Sequence, residues 1–90
     1  MTIDEEYKYN LKHIKNCRKK GHTHYCPDIN ISYECMLRLT TDGYKCYLHQ
    51  SIFGDDHIVI RWDEFNRDLF EYEYTVDMLN RYIKMKRHTE

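Results

Sequence analysis

Apolar residues first recur at helical spacing. Ile3, Tyr7, Leu11, Ile14 and Cys17 fall three or four positions apart, forming one stripe, with Lys8, Lys12, Lys15 and Lys19 on the opposite face. Thr2 followed by Glu5 makes a capping box, so a helix is predicted to start near Ile3. Asp4, Glu5 and Glu6 suit the positive end of its dipole, and Arg18, Lys19 and Lys20 the negative end. Gly21 supplies a stop, and 21–30, with Pro27, reads as a loop.

The period then changes to two. Segments 32–41 and 44–53 flank Asp42-Gly43, a dipeptide suited to a type I′ hairpin turn. That turn predicts Leu39 opposite Cys46, Leu37 opposite Leu48 and Cys35 opposite Gln50. One face would then carry Cys35, Leu37, Leu39, Cys46 and Leu48, and the other Glu34, Met36, Arg38, Thr40, Lys45, Tyr47 and His49. Gly54-Asp55-Asp56 makes a second turn, with Ile52 opposite Ile58, Gln50 opposite Ile60 and Leu48 opposite Trp62. Helical spacing returns afterwards. Asp63 caps a predicted short helix over 64–72 with Phe65 and Leu69 inward. Thr75 caps a last one over 76–87 with Val76, Leu79 and Ile83 inward. The expected fold is α+β: one domain over 1–90, a three-stranded antiparallel meander packed by an N-terminal helix and one or two C-terminal helices, in the order α-β-β-β-α-α.

Ninety residues fit one domain, and 41% hydrophobic content at a net charge of −1 excludes a disordered chain. No apolar run is long enough to span a membrane. The acidic start, Met1-Thr2-Ile3-Asp4-Glu5-Glu6, is unlike a secretory signal. The expectation is a cytoplasmic protein whose four Cys are thiols or metal ligands rather than disulfides. The total charge conceals a division: residues 54–77 hold eight acidic and two basic groups, between a basic start and a basic end.

Several groups could carry chemistry. Cys17, His22, His24 and Cys26 place four zinc-type ligands within ten residues, but the spacing matches no standard finger, and Cys17 continues the apolar stripe. No metal or cofactor is assigned. Ser32 and Ser51 lie outside any nucleophile-elbow context, and the three Gly are isolated, so neither a nucleophilic triad nor a phosphate loop is legible and the chain reads as non-enzymatic. Nine Tyr exceed what so small a core holds, so several are expected at the surface. The most distinctive cluster is acidic: Asp55, Asp56, Asp63, Glu64, Asp68, Glu71 and Glu73, interleaved with Trp62, Tyr72 and Tyr74. Carboxylates on a rigid surface imitate phosphates and pair with Arg in a groove built for nucleic acid.

The element order, the segment Met36-Leu37-Arg38-Leu39-Thr40-Thr41-Asp42-Gly43-Tyr44-Lys45-Cys46-Tyr47 and the acidic stretch after it resemble the small phage anti-CRISPR proteins that block a Cas effector by mimicking DNA. The resemblance implies an inhibitor from a phage or mobile element, acting in the host cytoplasm. Its partner would be a host Cas effector or other nucleic-acid enzyme, contacted through the acidic residues and aromatics just named. The alternative is a small nucleic-acid-binding module, zinc-stabilised or not, acting through Lys12, Lys15, Lys19 and exposed Tyr.

Overall fold

The computed structural model describes residues 1–27, 31–62 and 71–89. Seven elements follow in the order α1 (Ile3–Lys19), β1 (His24–Tyr25), α2 (Tyr33–Thr41), β2 (Lys45–His49), β3 (His57–Arg61), β4 (Glu71–Glu73) and α3 (Val76–Thr89). The α+β class stands. The sheet is antiparallel with four strands in the order β1-β3-β2-β4, in place of a three-stranded meander.

α1 begins where its cap requires. The Thr2 hydroxyl oxygen accepts from the Glu5 N–H at 3.2 Å and donates to Glu5 Oε1 at 3.1 Å. It ends in a Schellman motif, with Gly21 at φ 80° and bonds from Gly21 N–H to Arg18 O and from His22 N–H to Cys17 O, each 3.0 Å. α3 starts at its expected cap, the Met78 N–H donating to Thr75 Oγ1 at 3.2 Å. Its inward residues are Leu79 and Ile83, whereas Val76 is exposed.

The main correction lies at 32–41, where the structure has a helix instead of a strand. Ser32 caps it, its hydroxyl oxygen accepting from the Cys35 N–H at 3.1 Å. Cys35, Met36 and Leu39 form its buried stripe. Asp42-Gly43 terminates this helix and turns no hairpin. Gly43, at φ 101°, donates to Thr40 O at 3.1 Å, and Tyr44 donates to Leu39 O at 3.0 Å. The partnerships expected of Cys35, Leu37 and Leu39 with β2 therefore do not exist. The predicted helix over 64–72 ends in β4, which contains Glu71 and Tyr72; the rest of it, with Phe65 and Leu69, lies outside the described residues.

β2 and β3 do pair, but Leu48 faces Ile58 and Cys46 faces Ile60. This differs from the predicted register by four residues. An even slip leaves each side chain on its expected face. Cys46 and Ile60, with Tyr25 of β1, meet Ile14 of α1, Cys35, Met36 and Leu39 of α2 and Leu79 of α3 in one core. α2 is central to the helix layer, touching α1, α3 and β2. Polar clasps hold α1 to α2. Glu6 accepts from the Ser32 N–H at 3.0 Å and from its hydroxyl. Arg38 pairs with Asp4 and lies 4.1 Å over the Tyr7 ring, whose hydroxyl donates to Asp42.

Burial pushes the thiols of Cys35 and Cys46 up to about 12, helped at Cys35 by the nearby Glu6 charge. In the unfolded chain a thiol ionises at about 8.5, so this contribution to stability is complete below that pH and is lost as pH rises toward 12. Thermal melts should therefore show falling stability above about pH 9, with a smaller fall in the Cys35→Ala/Cys46→Ala double variant. An unchanged pH profile in that variant would contradict the assignment. Leu39→Ala, emptying the centre of the core, should cost about 2–5 kcal/mol in urea unfolding.

Candidate partner-binding surface

The sequence-derived acidic and aromatic residues divide among different environments. Asp55 and Asp56 are exposed in the loop between β2 and β3. Asp63, Glu64 and Asp68 lie outside the described residues. Trp62 is half-buried, its indole N–H donating to His22 O at 3.1 Å while the ring packs against the core. Tyr74 is half-buried with Tyr33 and Tyr82, ring centroids 6.3 and 6.2 Å away. Tyr72 is 56% exposed and pairs across the sheet with Leu48. Trp62 and Tyr74 are thus packing residues, and Tyr72 is the one aromatic of the three that is free to meet a partner. Of the nine Tyr, only Tyr9 and Tyr72 are exposed; Tyr25 and Tyr47 are buried.

Glu71 and Glu73 lie on the sheet face turned away from the helices, as the alternation along β4 requires. That face also buries Tyr47 and Val59. Glu71 is only 4% exposed. Arg61 grips its carboxylate with two bonds, Nε to Oε2 at 3.1 Å and an Nη nitrogen to Oε1 at 2.6 Å. His49 Nδ1 lies 3.7 Å from Oε1, and the His49 ring is 4.8 Å from that of His57. Glu71 is therefore compensated inside the protein and presents no charge to a partner.

The expected inward placement of Ile52 also fails. β2 stops at His49, so Ile52 and Phe53 belong to the connecting loop and are 79% and 85% exposed. The loop folds on Ser51, which accepts from the Phe53 N–H through its hydroxyl oxygen and from the Gly54 N–H through its carbonyl, both at 3.1 Å. Two bare apolar side chains thus stand beside Asp55 and Asp56. Sequence reading missed this pair because the apolar run into Phe53 looks like continuing strand. The Ser51-x-x-Gly54 turn was the available signal. A cleft of about 270 Å³ lies nearby, between β2, β4 and α3, lined by Leu48, Tyr72, Met78 and Tyr82.

Among the described residues no three His, Cys, Asp or Glu side chains converge as a metal site, so Cys17, His22, His24 and Cys26 are not gathered around an ion. Cys17 packs against the core, as the stripe implied. Cys26 is exposed, and partial desolvation of its thiol raises it above its ordinary range. Lys8, Lys12, Lys15 and Lys19 are all exposed along α1. No helix among the described residues is long and apolar enough to cross a membrane. No protein-family model, curated protein or solved structure matches the chain.

Removing one member of the buried ion pair strands the other. Glu71→Ala should cost about 3–5 kcal/mol, whereas the double change Arg61→Met/Glu71→Leu should restore much of that loss. Asp55→Ala, at an exposed turn, should stay within about 0.5 kcal/mol of the parent. Urea titration of the three variants checks the ordering.

Proposed function

We propose that the chain is a non-enzymatic inhibitor from a phage or mobile element that binds a basic, nucleic-acid-reading groove of a host enzyme. The target class implied by the anti-CRISPR resemblance is a Cas effector. The observation that carries this reading is the loop between β2 and β3, where Phe53 and Ile52 stand bare beside two exposed carboxylates. Exposed aromatic and aliphatic side chains act as anchors when a partner supplies a pocket. Adjacent Asp side chains suit Arg in bidentate pairing, and their charge steers encounter with a basic surface. Tyr72 and the cleft beside it extend the apolar part of the contact. Glu71 is left out of the interface, and the acidic decoy is correspondingly smaller than the sequence suggested.

A second reading, direct nucleic-acid binding, is favoured by the exposed Lys8, Lys12, Lys15 and Lys19, none of which forms an ion pair among the described residues.

Phe53→Ala and Asp55→Lys/Asp56→Lys should each weaken capture of the host effector at least about tenfold, without lowering the melting temperature. Lys12→Glu/Lys15→Glu should leave capture unchanged. If the lysine variant loses activity and the loop variants keep it, the second reading replaces the first. A DNA shift assay over a salt series gives the same discrimination, since phosphate contacts produce a steep salt dependence.

A further inference from the structure

Two histidines face each other on the sheet face turned away from the helices. His49 of β2 and His57 of β3 are direct partners in the register, with ring centroids 4.8 Å apart and planes tilted by 33°. Each ring has an acceptor beside its Nδ1. His57 Nδ1 lies 3.3 Å from the Asp55 carbonyl oxygen, which only accepts, so this nitrogen carries the proton. His49 Nδ1 lies 3.7 Å from Oε1 of Glu71, a buried carboxylate that favours a proton on the nitrogen facing it. Both rings are thereby biased to the tautomer with its lone pair on Nε2. A carboxylate or a backbone carbonyl behind the ring is also what orients a metal-ligating histidine.

We propose that His49 and His57 together bind a divalent transition-metal ion of the zinc or nickel type through their Nε2 atoms. The ring separation fits this chemistry. A Zn–N bond of about 2.0–2.1 Å puts the ion about 3.2 Å from each ring centre, and adjacent ligand positions then hold the two centres about 4.5–5.2 Å apart. The observed 4.8 Å falls inside that span. Imidazole nitrogen selects zinc, copper or nickel, whereas calcium and magnesium take oxygen ligands. The charge of Arg61 is matched by Glu71 in their bidentate pair, so the pair adds no net positive charge against the ion. No third His, Cys, Asp or Glu converges here among the described residues, so the remaining coordination positions are open to water or to a donor atom of a bound molecule. The ion ties the end of β2 to the start of β3, at the root of the loop carrying Ile52, Phe53, Asp55 and Asp56.

Titration of the full chain with nickel chloride tests the assignment, read by calorimetry and by the NMR signals of the six His rings. One Ni²⁺ per chain should bind with a Kd below about 0.1 mM, tighter than a lone surface imidazole allows because the second ligand is already in place. Paramagnetic Ni²⁺ should broaden the ring signals of His49 and His57 before those of His13, His22, His24 and His88, a readout that needs no variant to fold. His57→Gln, at an exposed position, should weaken binding at least tenfold, and His24→Gln should leave it unchanged. Saturating Ni²⁺ should raise the melting temperature of the parent chain and leave that of His57→Gln in place, because the ion binds only where both rings are present. The proposal is overturned if no Ni²⁺ binds below about 0.1 mM, if the His22 or His24 signal broadens first, or if the parent melting temperature does not move. It is equally overturned if His57→Gln keeps full affinity or His24→Gln loses tenfold.

Discussion

The structure depends on the burial of one short helix stripe. Cys35, Met36 and Leu39 of α2 are 0–1% exposed, enclosed by α1, α3 and the inner sheet face. Fully burying a side chain the size of Leu or Met contributes about 1.5–3 kcal/mol, and these three sit where all the layers meet. Nine residues of helix would be marginal alone in water. α2 exists because its neighbours cover it, and they are positioned because it lies between them. The polar clasps from Glu6 to Ser32 and from Asp4 to Arg38 set the angle at which α1 meets it.

That stripe is also where sequence reasoning diverged most from the fold. Cys35, Leu37 and Leu39 alternate as a strand would, while Cys35, Met36 and Leu39 repeat as a helix would, and the segment supports both periods. Asp42-Gly43 adds no discrimination, because a left-handed glycine serves a hairpin turn and a Schellman stop alike. Ser32 at the cap position was the local signal for the helix. The first and last helices were legible because caps, stripe and charge agreed. β1 and β4, at two and three residues, are too short to carry any period and exist only through pairing with β3 and β2.

The surface was legible in composition and illegible in placement. Asp55 and Asp56 are exposed as a turn demands. Glu71 has the same chemistry and the opposite fate, because its burial depends on Arg61, ten positions earlier on β3, whose side chain reaches it across β2. Cys35 and Cys46 were expected to be inward, and both are, though one is on a helix. Burial followed hydrophobicity where the element type did not. The unpaired described cations line two helices, Lys8, Lys12, Lys15 and Lys19 along α1 and Arg81, Lys84 and Arg87 along α3, while Asp55 and Asp56 stand exposed on the loop between β2 and β3. A net charge of −1 therefore coexists with local rows of unpaired cations on two helices.

The brevity of β1 and β4 has an effect on the crowd around the molecule. Both outer strands of the sheet end after two or three residues, so an intruding chain finds almost no ladder to extend. Although Ile52 and Phe53 are left bare in the loop between β2 and β3, the chain is thereby less prone to zip onto its own copies along the sheet margins.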